Sequence, residues 1–190
     1  MGNEEIVFAN HAILTEGQDD QGVVQELLTR ADIDPDVLSI SVVNCDGAGQ
    51  IKDYIRLCAE LGIDFYVIHD LDDDTDPVIK KRNKAILDTV TASAPATPSL
   101  HVYDPTLETT MGTQKQKANL ASLLALLGNK DYQAISAQFP ELVKPIDEFV
   151  STRKFNADAA PIADGTPEPI KPKPTVVPEA ETRKRAKPGK

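Results

Sequence analysis

Tryptophan is absent from the 190 residues, aromatic residues make up only 5%, and there are two methionines. The interior therefore has to be built from Val, Ile, Leu and Ala rather than from large rings. Cysteine is as scarce: Cys45 and Cys58 are the only two, too few for a disulfide framework, and neither has a His or second Cys at metal-ligand spacing. Both read as reduced packing residues. His11, His69 and His101 are too scattered for a zinc site. No apolar run approaches the roughly 20 residues of a membrane helix, so no membrane partner is expected. The start, Met1-Gly2-Asn3-Glu4-Glu5, has neither the basic nor the apolar region of an export signal, which points to the cytoplasm. An excess of base is missing too. Thirty acids face 20 bases, for a net charge of −10, which excludes a generally basic nucleic-acid coat.

What is present is the composition of a globular chain, 41% hydrophobic and 26% charged, with room for one domain of ordinary size and a small appendage. The charge is uneven. Residues 156–190 hold seven of the 14 prolines, seven bases and five acids, so the rest of the chain carries −12. This Pro-rich, basic-ended tail has almost nothing to bury and is expected to be disordered. Its end fits either a solubilising extension or a nucleic-acid contact.

Before the tail, short apolar runs alternate with amphipathic ones. Ala12–Thr15, Leu38–Val43, Phe65–Ile68 and Leu100–Tyr103 read as strands. Gln21–Ala31, the stretch bearing Ile51, Tyr54, Ile55, Cys58 and Leu61, and Pro77–Ala92 read as helices. Strands apolar on both faces, alternating with helices, imply a parallel sheet covered on its faces. A further helix is expected over Lys115–Leu127, stopped at Gly128, and two weaker ones over Tyr132–Phe139 and Glu141–Val150. The expected class is thus α/β, with about four mainly parallel strands flanked by helices and a short helical segment after them. There is no internal repeat and no Walker phosphate loop.

Ligands of parallel α/β sheets sit beyond the carboxyl ends of the strands, and acids collect there. Glu16 ends the first strand and Asp20 lies four residues on. Asp70 and Asp72 end the third, in His69-Asp70-Leu71-Asp72-Asp73-Asp74. In an extended chain residues i and i+2 share a face, so Asp70 and Asp72 are expected to aim at one point. Converging carboxylates repel one another unless neutralised, and oxygen-only ligands suit hard cations such as Mg²⁺ or Mn²⁺. Taken alone, residues 70–76 fit a solvated acidic loop equally well. An EF-hand fails, because its sixth position is Thr75 and its twelfth Lys81. A phosphoacceptor receiver domain would place its acid doublet on the first strand rather than the third.

Glu16-Gly17-Gln18-Asp19-Asp20 followed by a strand-borne Asp70-Leu71-Asp72 resembles the Toprim domain, with its Glu-Gly-x-x-Asp and Asp-x-Asp motifs. Toprim domains occur in topoisomerases, primases, recombination mediators and the OLD (overcoming lysogenization defect) nucleases. The flanking residues resemble the OLD branch. They are Phe8-Ala9 ahead of the first strand, Ser41-Val42-Val43-Asn44 with the glycine-rich loop and Tyr54, Asn83, Asp104-Pro105-Thr106-Leu107-Glu108, and Lys117 with Ala121 four residues on. The likeness spans about residues 5–128. The family's Lys-Pro pair reads Lys117-Ala118 here, and Lys115 competes with Lys117 for that role.

The resemblance implies residues 5–112 as a Toprim catalytic domain, 113–155 as helices packing on it and 156–190 as the tail. It implies a prokaryotic cytoplasmic chain that corresponds to the C-terminal part of an ATPase–nuclease, whose partner is an ABC-type ATPase domain. The activity implied is metal-dependent endonucleolytic cleavage of DNA, with two Mg²⁺ or Mn²⁺ ions expected. Glu16, Asp20, Asp70, Asp72 and Glu108 are the expected metal ligands. Glu16 and Lys117 are the expected catalytic residues, Glu16 as ligand or base and Lys117 opposite the phosphate charge. Lys117 also fits an exposed helix residue, and Glu108 a plain loop acid. Lys80, Lys81, Arg82 and Lys84 are the expected DNA contacts, giving affinity without sequence reading; the same four also fit a solvated helix face. The loop Asp46-Gly47-Ala48-Gly49 fits either a phosphate-facing turn or a tight strand-to-helix connection. A homodimer is compatible with this reading. The alternative is a non-catalytic, metal-dependent nucleic-acid-binding module. A topoisomerase would need a nucleophilic Tyr on a further domain.

Overall fold

The computed structural model of the chain describes residues 3–93, 99–114, 118–153 and 155. After a 3₁₀ segment (Asn3–Phe8), the chain runs β1 (His11–Thr15), α1 (Gln18–Arg30), β2 (Ile40–Asn44), α2 (Ile51–Leu61), β3 (Asp64–Asp70), α3 (Pro77–Ser93) and β4 (Leu100–Tyr103). A short α4 (Leu107–Thr110) and three helices, α5 (Leu120–Leu127), α6 (Tyr132–Gln138) and α7 (Pro140–Thr152), follow. The strands form one sheet in the order β2-β1-β3-β4, and every pairing is parallel. The fold is therefore α/β with an all-parallel sheet flanked by helices.

Alternation along the strands divides the core between the two faces. Ile13, Tyr66, Ile68 and Tyr103 join the apolar sides of α1, α5 and α7, among them Val23, Leu27, Leu123, Leu142 and Phe149. Ala12, Leu14, Phe65 and Val67 face the other way, onto Ile51, Ile55 and Cys58 of α2 and Ile86 and Val90 of α3. Each fully buried Ile or Leu side chain contributes about 1.5–3 kcal/mol. Cys45 and Cys58 are both buried and free, and burial pushes both thiols up, Cys58 to about 11.

The strand order fixes the position of a crevice. From β1 the chain crosses outward to β2, then returns to place β3 on the other side of β1. The connections diverge between β1 and β3, and at such a switch point ligands bind beyond the carboxyl ends of the strands. The residues at that point are Glu16 and Asp70.

Several boundaries differ from expectation. Helix α1 starts at Gln18 rather than Gln21, because Gly17 is its N-cap. Strand β2 starts at Ile40, since Ser39 turns at φ 52°. Helix α5 starts at Leu120, where the Asn119 side chain accepts the Ser122 N–H at 3.0 Å. Ala118 and Asn119 thus lie ahead of that helix, and Lys115 and Lys117 fall outside the described residues, as does the tail. Helix α4 and the 3₁₀ segment were not expected.

Candidate active site

The Glu-Gly-x-x-Asp stretch works as a strand-to-helix joint. Thr15 closes β1, buried, with its Oγ1 donating to the Val43 carbonyl at 2.9 Å. Glu16 follows at the rim. Gly17 adopts extended φ/ψ of −134° and 177° and donates its N–H to Asp20 Oδ2 at 3.0 Å. Asp20, third in the helix, thereby turns back over the first turn, where the helix dipole favours anions. A Cβ at position 17 would stand 3.2 Å from that Asp20 oxygen, so a side chain there would push the Asp20 carboxylate back by a few tenths of an ångström.

Neighbouring strands fix the rest. Past β2, Cys45 N–H donates to the Thr15 carbonyl and Gly47 N–H to the Glu16 carbonyl, at 2.9 and 2.8 Å. Asp46 N–H goes to Asn44 Oδ1 at 2.9 Å. Two loop N–H groups offered above as phosphate ligands are thus already used to hold Glu16 and the turn in place. Gly47 needs no side chain there, at φ 109°.

Asp70 closes β3. Its Oδ1 accepts the N–H of Leu107 at 2.9 Å, so it caps α4 and ties β3 to the segment carrying Glu108. Its own N–H reaches Glu16 Oε2 at 3.4 Å. Glu16, Asp20, Asp70 and Glu108 line one cavity of about 540 Å³, together with Gly17, Asn44, Asp46 and Gly47.

Crowded acids shift one another. Burial, then the charges of Asp70 and Glu16, push Asp20 up to about 7, with Glu108 adding to the shift and the Gly17 N–H opposing it. Burial, then Asp70 and Asp72, likewise raise Glu16, against a lowering pull from Arg82. Glu108 is 9% exposed, and its Oε2 has no hydrogen-bond partner among the described residues. An unpartnered, buried carboxylate oxygen is costly.

Asp72 departs from the expected geometry. The strand ends at Asp70, and Asp72 sits at φ 56°. The i, i+2 alignment therefore does not apply, and Asp72 Oδ2 meets Arg82 Nη2 at 3.0 Å instead. Arg82 also donates to Asn83 Oδ1, and Asn83 Nδ2 donates to the Leu71 carbonyl at 2.8 Å. Of the basic run on α3, Lys80, Lys81 and Lys84 are exposed and Arg82 is half-buried. Lys84 pairs with Asp88 at 2.7 Å. Sequence reasoning missed Asp19, whose Oδ1 accepts the Leu120 N–H at 3.0 Å and so helps cap α5; nothing in local spacing announces a contact across 101 positions. It also passed over Asn44, which ends β2 at the same sheet edge and lines the cavity.

Among the described residues no three His, Cys, Asp or Glu side chains converge closely enough to hold a metal ion as they stand. Donor type and charge nevertheless fit a hard divalent cation: all-oxygen ligands, mutual repulsion at Glu16 and Asp20, and the orphaned Glu108 oxygen.

A parallel sheet with a Glu at the end of β1, its Gly-x-x-Asp partner on the next helix, and an Asp at the adjacent end of β3 defines a Toprim-type domain. Residues 7–72 match the family described as overcoming lysogenization defect protein-like, TOPRIM domain. Over this segment, about a third of the chain, it is similar to the OLD-like Toprim family. It is 38% identical over 68 residues to the OLD nuclease of Thermus scotoductus (strain ATCC 700910 / SA-01), a match covering 36% of this chain and 13% of that protein. The chain therefore spans a small part of that relative. Among solved structures, the C-terminal region of the Burkholderia pseudomallei OLD protein superposes at a TM-score of 0.51 and 21% identity, over 75% of this chain and 99% of that one. The C-terminal region of the Xanthomonas campestris pv. campestris OLD protein gives 0.49 and 16%, over 76% and 97%. Among the described residues, no helix is long and apolar enough to cross a membrane.

Proposed function

We propose that this chain is the Mg²⁺- or Mn²⁺-dependent DNA-cleaving part of an OLD-type ATPase–nuclease, with residues 5–112 as the catalytic domain and the later helices buttressing it. The observation that carries the reading is the crowding of Glu16, Asp20, Asp70 and Glu108 around one cavity at the switch point of the sheet. Their repulsion is kept where a solvated acidic loop would have dispersed it, and a functional ligand explains why. Glu16, Asp20, Asp70, Asp72 and Glu108 would hold the cations, two of them in this reading. When bound, such ions supply Lewis acidity, acidifying water and offsetting charge on the phosphate.

The chain's own groups do the rest. Glu16, which ends β1 at the cavity, is either a ligand of the cations or the base that takes a proton from the attacking water. Asp70 orients the Glu108 segment through its cap on Leu107. Lys80 and Lys81, exposed at the start of α3, draw the DNA backbone toward an otherwise acidic surface. Lys117 is retained as the counter-charge to the phosphate. An ABC-type ATPase domain in the longer protein is the proposed partner.

Supercoiled plasmid incubated with the chain and Mg²⁺ or Mn²⁺ tests this. Nicking that is lost in Glu16→Gln and Asp70→Asn, with both variants folded, is the expected result. DNA retained but uncut in either cation would make the chain a binding module instead.

A further inference from the structure

We infer that Arg82 is an internal cation that holds Asp72 in reserve, so that the Arg82–Asp72 pair has to break when a divalent ion enters the site. The freed guanidinium then becomes a phosphate ligand. This rests on the metal-dependent reading above and adds a control on it.

Arg82 lies on α3 between exposed lysines, yet its side chain is 24% exposed and that of Asp72 19%. The pair is therefore built into the protein and is more than a surface contact. Two contacts fix the guanidinium: Nη2 to Asp72 Oδ2 at 3.0 Å, and Nη2 and Nε to Asn83 Oδ1 at 3.0 and 3.1 Å. Asn83 is itself pinned, donating to the Leu71 carbonyl at 2.8 Å. This clamp holds segment 71–72 from the α3 side. It goes with a left-handed φ of 56° at Asp72, a conformation that costs a non-glycine residue free energy. The Asp72 carboxylate is thus drawn to Arg82, whereas Glu16, Asp20, Asp70 and Glu108 line the cavity.

The pair is still within electrostatic reach of that cavity. Asp72 lies two residues past Asp70, whose carboxylate lines the cavity and whose N–H reaches Glu16 Oε2 at 3.4 Å. A divalent ion there attracts Asp72 and repels Arg82, so both forces oppose the resting pair. A guanidinium released beside the acids carries a planar fork suited to phosphate oxygens.

The test is Mn²⁺ titration of the full chain by calorimetry, without DNA, for wild type, Arg82→Gln and Arg82→Lys. Losing the competing cation should tighten Mn²⁺ binding about five- to tenfold in Arg82→Gln. Arg82→Lys, which keeps the charge without the fork, should fall between. Anisotropy of a labelled duplex supplies the second readout: the gain in duplex affinity on adding Ca²⁺ should be smaller in Arg82→Gln than in wild type, and an equal gain in both overturns the phosphate role of the guanidinium. Unchanged or weaker Mn²⁺ binding in both variants, with wild type binding normally, overturns this inference alone. Failure of the wild type to bind Mn²⁺ overturns the metal reading and this inference with it.

Discussion

Strand β3 carries an aspartate at each end, and the protein treats them in opposite ways. Asp64, at the amino end, is neutralised. Arg153 Nε bonds its Oδ2, His11 Nδ1 lies 3.2 Å from the same oxygen, and the Arg153 guanidinium stacks over Tyr66 and Phe149 at 5.3 and 4.6 Å. Arg153 also donates to the Phe65 carbonyl at 2.8 Å. At the carboxyl end Asp70 is crowded by further acids, with Glu16, Asp20 and Glu108 on the same cavity. The fold can therefore pair a rim aspartate with a buried arginine. That it gathers six acids at the other end, Asp19 and Asp46 among them, marks the two ends as built for different tasks: one closes the structure, the other is the proposed site.

The largest expected effect comes from the end with the proposed site. Asp70→Asn or Glu16→Gln should lower Mn²⁺-supported plasmid nicking by about 100-fold or more, with the circular dichroism spectrum kept. At the closing end, Arg153→Ala should lower stability by about 3 kcal/mol in urea unfolding. It removes the partner of Asp64 and two ring contacts, but should leave the specific activity of the folded fraction unchanged. If both substitutions hurt stability alike, the contrast between the ends is wrong.

A smaller effect sharpens it. Asp20 has a folded pKa of about 7 against an ordinary value of 3.8. For an acid raised in this way the folded state holds the proton longer than the unfolded state does. Its contribution is therefore full below pH 4 and is lost as pH rises toward 7. Asp20→Asn removes the charge and can keep the acceptor for Gly17 N–H. It should stabilise the metal-free protein at pH 8 by roughly 2–4 kcal/mol, and much less at pH 4, in paired urea titrations. Adding Mn²⁺ should narrow the gap. The smallest expected effect is at Lys80 and Lys81, exposed on α3. Replacing each by Ala should weaken duplex binding uniformly across sequences and reduce the salt slope by about 1 per lysine.

Much of this contrast was legible before any coordinates. Apolar runs such as Phe65–Ile68 are buried on both faces in the structure, and that burial is what makes a parallel strand recognisable. The acids at Glu16, Asp20 and Asp70 follow from the rule that ligands gather at carboxyl ends. What escaped depends on contacts distant in sequence. Asp19 caps a helix 101 positions away. Arg153 crosses 89 positions to Asp64. Asp72 lies past the end of the strand, paired with Arg82 and with its N–H on the Pro105 carbonyl, and a two-residue spacing carries no information about either contact. Helix starts moved for a local reason: Gly17 and Asn119 cap from extended backbone, a choice that hydrophobic periodicity does not register.

The central claim is that Glu16, Asp20, Asp70 and Glu108 form the seat of a divalent cation. Anomalous scattering from crystals of the chain soaked in Mn²⁺ tests it directly. The account predicts a peak inside that cavity, within bonding distance of the Glu16 and Asp70 carboxylates. Peaks confined to the exposed acids Asp73, Asp74 and Asp76, with the cavity empty at saturating Mn²⁺, would contradict it.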